Sequence, residues 1–300
     1  AVLAELLGAS KTYGSGGAAT LAVQDVDLSV RAGELLAVLG PNGAGKTTAL
    51  GMLTGLTTPT SGTARLFGRD PRDLAARQRM GVMLQSSGVP DTLRVRELLA
   101  SFFGYYPAPL PVASVVEAAG LGGLVGRLFG TLSGCQQRRV LFGIALCGDP
   151  ELVFVDEPTT GLDAEVRRTL WATRRDLAAT GRGVVLTTHY LEEADAWADR
   201  VVVLNQGRVI AEGTPAQIKS LVPGRRITAE SSLGASEASG WPGVHHAHRD
   251  GTRLELLVSE PEPVLRELLN RDQSVAGLTV TEPTLEDAFL TLTHRTEEAA

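Results

Sequence analysis

Residues 33–50 read GELLAVLGPNGAGKTTAL. The first part, GELLAVLG (33–40), is a continuous apolar run of the kind found in a strand buried on both faces. GPNGAGKT (40–47) fits the pattern G-x-x-x-x-G-K-[ST], and TTALGMLTGL continues from it with helical character. Strand, glycine loop and helix in this order are the context in which such a loop binds phosphate. Gly40, Gly43 and Gly45, with Asn42 between them, let the backbone wrap closely and aim its amides inward. The new helix adds free N–H groups and a positive dipole end at Lys46, Thr47 and Thr48. Lys46 is expected to neutralise the outer phosphates of a nucleotide, and the Thr47 hydroxyl to hold Mg²⁺. A plain glycine-rich turn is the competing reading, and the flanking strand and helix argue against it.

Outward from this stretch, LAVQDVDLSV (21–30) alternates as a half-buried strand does, and GSGGAAT (14–20) is a turn or flexible loop. Further strands are expected at 63–68, 79–85, 152–156 and 183–189, and a hairpin at 200–213 turning at Asn205-Gln206-Gly207. The pattern is helical from 92 to about 147, interrupted by the proline-rich YYPAPLP (105–111), and again over 164–180 and 191–198. Thr214-Pro215 supplies an N-cap and first-turn proline for a helix at 214–221. After Pro223-Gly224 the character changes to short strands (225–230, 252–258, 275–281) and two helices (261–271, 283–293), the pattern of a separate small α+β module. Strands alternating with helices before that point predict a mostly parallel sheet.

Several polar residues end these strands. LVFVDEP (152–158) is a buried strand finishing in two carboxylates: Asp156 suits the Mg²⁺ shell, and Glu157 suits activation of an attacking water. His189 and Gln85 end their strands at the edge where ligands bind in open α/β sheets, the histidine within reach of a terminal phosphate. By themselves both are unremarkable strand-end residues. Tyr13 in KTYG offers a flat face for a nucleobase, or else packs locally. His245, His246 and His248 read as a solvated surface rather than a metal site.

The bulk numbers are those of a globular chain long enough for one α/β domain and a smaller second one: 43% hydrophobic and 21% charged residues over 300. A net charge of −6 provides no electrostatic basis for nucleic acid as the main partner. Lys46 stands out because lysine occurs elsewhere only at positions 11 and 219. Cys135 and Cys147 lack metal-ligand spacing and are expected as free thiols in a reducing compartment. No apolar run approaches the roughly 18–20 residues that span a bilayer, and AVLAELLGAS lacks the features of a secretory signal.

GPNGAGKTT, Gln85, LSGCQQRR (132–139), LVFVDEP, TTGLD (159–163) and His189, in that order and spacing, resemble the ATP-binding subunit of an ABC transporter. The resemblance covers about 1–218, and the tail with TEPTLEDAFLTLT (281–293) is similar to the C-terminal extension of the subfamily serving exporters of drugs, antibiotics and polysaccharides. It implies the P-loop ABC fold: a mostly parallel core sheet, an antiparallel β subdomain and a helical subdomain at about 86–150, together spanning 1–220, followed by an accessory domain at 224–300. It further implies ATP and Mg²⁺ as cofactors, with Thr47, Gln85 and Asp156 around the metal, and Glu157, His189 and Lys46 as the catalytic groups. Two copies would sandwich two ATP molecules head to tail. Ser133, Gly134, Gln136 and Asp163 of one copy would then face the nucleotide on the loop of the other, and Ser133 and the helix start would bind its γ-phosphate. The implied partner is an integral-membrane permease docking near 86–110, and the implied location is cytoplasmic, peripheral on the inner face of the cell membrane. A translation or repair ATPase of the same superfamily and a nucleotide-binding regulator that never hydrolyses are the competing readings; the single P-loop argues against the first and Glu157 against the second. Cys135 departs from the family's Leu-Ser-Gly-Gly-Gln signature, where glycine stands. Its Cβ and sulfur stand where backbone and phosphate should approach closely, so weakened but not abolished dimer closure is the expectation, with strain added should the position need a positive φ; a small, tolerated side chain is the alternative.

Overall fold

The computed structural model describes residues 1–14, 19–84, 88–156, 180–188, 191–222 and 224–298. Two compact units are present, residues 1–212 and 213–300.

The first unit is built on strand β3 (Leu35–Leu39), the apolar run that precedes the glycine loop, all five of whose residues are buried. Around it lie β5 (Met80–Met83), β6 (Leu152–Asp156), β7 (Gly183–Thr187), β8 (Arg200–Asn205) and β9 (Arg208–Gly213), in the sheet order β5-β6-β7-β3-β8-β9. The pairs β5–β6, β6–β7, β7–β3 and β3–β8 are parallel. Both faces of this sheet are covered, which is why its strands read as unbroken apolar runs. In β6, Leu152 and Phe154 point into one core layer, and Val153 and Val155 into the other.

The first layer holds helix α1 (Lys46–Leu53) and an antiparallel sheet of order β2-β1-β4, made of β1 (Val2–Tyr13), β2 (Thr20–Arg31) and β4 (Ser61–Leu66). Strand β1 was not expected. Its register against β2 shifts four times, and Gly8 lies at φ +53, so its apolar residues fall out of the period-2 pattern by which strands are recognised. The second layer is helical: α3 (Val95–Phe103), α4 (Val112–Ala118) and α5 (Gly134–Leu146) bury Leu98, Leu99, Val115, Phe142 and Leu146 against the sheet, after the short α2 (Leu74–Arg77). The break at 105–111 falls between α3 and α4 as expected. The expected helix at 164–180 lies outside the described residues except for its last residue; α6 (Leu191–Trp197) matches the next one.

The second unit opens with α7 (Pro215–Ser220), capped by Thr214 as expected. Then follow β10 (Arg225–Glu230), α8 (Ala235–Ala238), β11 (Val244–Asp250), β12 (Arg253–Val258), α9 (Pro261–Arg271), β13 (Ala276–Thr281) and α10 (Leu285–Glu298). The antiparallel order β11-β12-β10-β13 on a β-α-β-β-α-β chain is that of a ferredoxin-like module. Strand β11 contains all three of the neighbouring histidines and was not expected as a strand. Because it sits at the sheet edge and leaves His245, His246 and His248 exposed, it has no hydrophobic alternation to display. The TEPTLEDAF segment forms a capping box: the Asp287 carboxylate accepts from the Thr284 amide at 2.8 Å, and Thr284 Oγ1 accepts from the Asp287 amide at 3.2 Å. Arg226 of β10 donates to both Asp287 oxygens at 2.8 and 2.9 Å, which fixes α10 to the sheet.

One ion cluster joins the two sheets of the first unit. Arg200, 7% exposed, grips Glu34 at 2.6 and 3.0 Å, and also reaches Glu212 and the Ser29 carbonyl. Burial pushes the Glu34 carboxyl up, but the Arg200 hydrogen bonds, the Arg31 amide and the guanidinium charges outweigh it and hold its pKa below the ordinary 4.5. A depressed carboxylate pKa contributes stability above its unfolded value, lost as pH falls through the folded one. Glu34→Gln is therefore expected to cost about 1–3 kcal/mol in urea unfolding at pH 7, because Arg200 loses one of its two carboxylate partners and keeps Glu212. The deficit relative to the parent should shrink below about pH 4.5, whereas a pH-independent deficit contradicts this account.

Candidate nucleotide-binding site

The phosphate loop leaves β3 and enters α1 with unusual backbone. Gly43 lies at φ +80 and Gly45, the N-cap of α1, at φ +101. Its back is packed hard. A Cβ on Gly40 would stand 2.4 Å from the Leu204 carbonyl oxygen, and one on Gly45 2.5 Å from that of Ala22. The β8–β9 turn closes the support: Gln206 and Gly207 both have positive φ, the Gly207 amide donates to the Ala44 carbonyl at 3.0 Å, and its own carbonyl accepts from Gln24 at 2.8 Å. The sequence shows 205–207 only as a hairpin turn; that it braces the loop is a tertiary fact. The front is open: Asn42, Gly43 and Thr47 are exposed, and nothing lies within 4 Å of a Cβ placed on Gly43. This is a cradle of amides held from behind, with room in front for an anion.

Lys46 is 7% exposed, and its ammonium donates to the carbonyls of Gly40 at 2.6 Å and Pro41 at 3.0 Å. The charge therefore sits over the loop mouth. Thr48 is half-buried beside it. Asp156 ends β6 and is 4% exposed; its Oδ1 accepts from the Thr187 hydroxyl at 2.5 Å. Thr187 escaped the sequence reading, which singled out His189 two residues on in TTH. Val38, Thr187 and Asp156 stand in one row across β3, β7 and β6, so the loop and the carboxylate share the C-terminal edge of the sheet, where open α/β sheets bind ligands. Tyr13, 44% exposed, pairs with Thr20 on the strand whose Ala22 abuts Gly45, and Lys11 lies 5.2 Å from its ring centre. Gln85, Glu157, Asp163 and His189 lie outside the described residues.

Ser133, Gly134 and Gln136 gather at the start of α5, in the helical layer and not on the strand row. Ser133 is the N-cap: its Oγ accepts from the Gln136 amide at 3.3 Å, and Gln136 Oε1 accepts from the Ser133 amide at 3.1 Å. The hydroxyl proton of Ser133 stays available to an anion. Cys135 is half-buried in the first turn and is absent from the residues with positive φ. The position does not need a positive φ, so the strain tied to that condition does not arise: an α-helical backbone accepts a Cβ. Cys147, by contrast, is fully buried, and burial pushes its thiol up to about 12.

These features define a P-loop nucleotide-binding protein. A family profile described as ABC transporter matches residues 23–160, and one described as ATP-binding protein DrrA1-3-like, C-terminal domain, matches 213–293. The chain is 37% identical to the daunorubicin/doxorubicin resistance ATP-binding protein DrrA of Streptomyces peucetius, over 94% of this chain and 92% of that protein. It is 39% identical to the Nod factor export ATP-binding protein I of Burkholderia lata, over 92% and 93%. Among solved structures, the ATP-binding subunit of an ABC transporter superposes with TM-score 0.66 and 27% identity, covering 73% of this chain and 92% of that one. A dimeric ATP-binding cassette in a post-hydrolysis state with ADP and Pi superposes with TM-score 0.65 and 25% identity, covering 71% and 98%. The chain belongs to the ATP-binding subunits of the ABC transporter family, and it is an ATPase with that family's fold.

The packing behind the loop separates its glycines. Gly45→Ala combines a positive φ with a backbone clash and should cost about 2–4 kcal/mol in urea unfolding, against about 1–2 kcal/mol for Gly43→Ala, which meets open space. Equal costs contradict the bracing. Cys135→Gly should lower stability by about 0.5–1 kcal/mol, since it only loosens a helix; a stabilised variant restores the strain reading.

Proposed function

We propose that the chain is the ATP-hydrolysing subunit of an exporter for a drug, antibiotic or similar compound, working as a head-to-tail nucleotide-sandwich dimer beside a membrane permease. The observation that carries this reading is the row of strand ends, which sets Lys46 and its glycine cradle on the same sheet edge as the buried Asp156–Thr187 pair. The export class is supported by the names of DrrA and the Nod factor export protein, and the dimer by the dimeric cassette. Among the described residues no helix is long and apolar enough to cross a membrane, which suits a subunit that drives a separate permease.

In this reading the amides of 40–48 and the Lys46 ammonium hold the β- and γ-phosphates, and Tyr13 stacks on the base. The residues present fit Mg²⁺: a buried carboxylate held by a hydroxyl, and an exposed Thr47 at the helix start. Thr47, Asp156 and Gln85 would hold the ion, which would neutralise charge on the phosphate oxygens. Glu157 orients the attacking water, His189 contacts the γ-phosphate, and Asp163 lies at the dimer contact. Ser133, Gly134 and Gln136 of the second copy close over that phosphate. Hydrolysis of this kind is mainly positioning and charge neutralisation. A cleft of about 350 Å³, lined by Leu74, Met80, Val82, Phe102, Tyr105 and Tyr106, opens beside the 86–110 region; Tyr105 is 71% and Leu74 69% exposed, an apolar rim suited to a permease loop. The accessory domain at 224–300 forms part of the dimer contact or grips the permease.

Glu157→Gln should lower ATP turnover by about 10²–10⁴-fold while keeping ATP binding, and should accumulate a dimer with Mg-ATP in light scattering. Lys46→Ala should lose ATP binding itself. A Glu157→Gln protein that holds Mg-ATP and stays monomeric contradicts the shared pocket.

A further inference from the structure

The start of α5 is supported from outside its own helix. Arg127 donates through Nη2 to the Thr131 carbonyl at 2.9 Å and through Nη1 to Gln136 Oε1 at 3.4 Å. That oxygen is the same one that accepts the Ser133 amide. A carboxamide oxygen has two lone pairs, so both donors can be served at once. A charged donor on one of them fixes the rotation of the carboxamide and polarises it toward the other. Arg127 therefore sets Gln136, and Gln136 in turn sets the cap at Ser133.

The base from which Arg127 reaches is itself fixed. Residues 125–130 are zipped to 91–96 by four backbone hydrogen bonds: Arg96 to Val125 at 2.9 Å, Val95 to Arg127 at 3.0 Å, Phe129 to Leu93 at 2.9 Å and Gly130 to Asp91 at 3.0 Å. The Arg127 side chain is exposed and lies outside the core, where its hydrogen bonds are worth little to stability. An exposed arginine that bonds both the Thr131 carbonyl before the cap and the capping Gln136 is better matched to holding geometry than to stability.

We infer that Arg127 is a positioning residue for ATP hydrolysis: through Gln136 it holds the Ser133 corner in the geometry that closes over the terminal phosphate of the second copy. This rests on the shared-pocket reading proposed above. It assigns Arg127 no contact with the nucleotide.

The test is steady-state ATPase kinetics of the purified 300-residue chain, with binding of a fluorescent ATP analogue measured in parallel. Arg127→Ala should lower kcat about tenfold, with KM, analogue affinity and thermal midpoint essentially unchanged, because the interaction acts only when the pocket closes. Arg127→Lys should recover at least about a third of the lost rate, as a point charge keeps one donor. Arg127→Ala and Gln136→Ala together should be about as slow as the slower single variant, since both act on one cap. Unchanged kcat in Arg127→Ala, no recovery by lysine, or multiplicative effects in the double variant overturn the inference. Ser133→Ala separates the two levels. If it leaves turnover unchanged, the shared-pocket reading fails; if it slows turnover while Arg127→Ala does not, only the role of Arg127 fails.

Discussion

The close approach of the phosphate loop to its supporting backbone is the constraint on which the first unit depends. Gly40 and Gly45 leave no space for a side chain because the carbonyls of Leu204 and Ala22 press on them from behind. Those two carbonyls come from different sheets, one from β8 of the parallel sheet and one from β2 of the antiparallel sheet. The loop is therefore the joint at which two layers meet, and its amides point outward because its back is occupied. The Gly207 turn completes the joint by binding both Ala44 and Gln24. An anion site made of backbone needs such support, since amides aimed at one point repel each other and would otherwise relax.

Around that joint the charge is arranged with economy. The buried Asp156 accepts from the Thr187 hydroxyl of the neighbouring strand, and the Lys46 ammonium donates to two loop carbonyls. The structural ion clusters, Arg200 with Glu34 and Arg226 with Asp287, are closed by opposite charges. The two cysteines also differ: Cys147 is sealed in the helical layer, and Cys135 lies half-exposed on the first turn of α5.

Much of this was legible in the residues. The parallel sheet could be read because strands buried on both faces must be apolar along their length, as β3 is throughout and β6 and β7 are up to Asp156 and Thr187. The hairpin at Asn205–Gly207 and the capped helix at Thr214 follow from local turn and cap chemistry, which needs no distant partner. Strands β1 and β11 were illegible for opposite reasons. The first is broken by bulges that shift its register, and the second is an edge strand most of whose side chains face water. Neither carries a period-2 signal, and only pairing with a neighbour makes either a strand.

The sequence by itself determined the order of the motifs, the glycine loop after an apolar strand, and the carboxylate at the end of another, because these follow from short-range periodicity and backbone freedom. Only the tertiary structure decided that Asp156 is held by Thr187, that Gly207 braces the loop, and that Arg127 reaches the Ser133 cap through Gln136. Each of these joins segments that the chain brings together by strand pairing or by a loop zipped to another loop, and hydrogen bonds between such segments leave no pattern in the local sequence. Cys135 belongs to the same class: whether a cysteine there is strained depends on φ, and the helix that Ser133 caps supplies the answer.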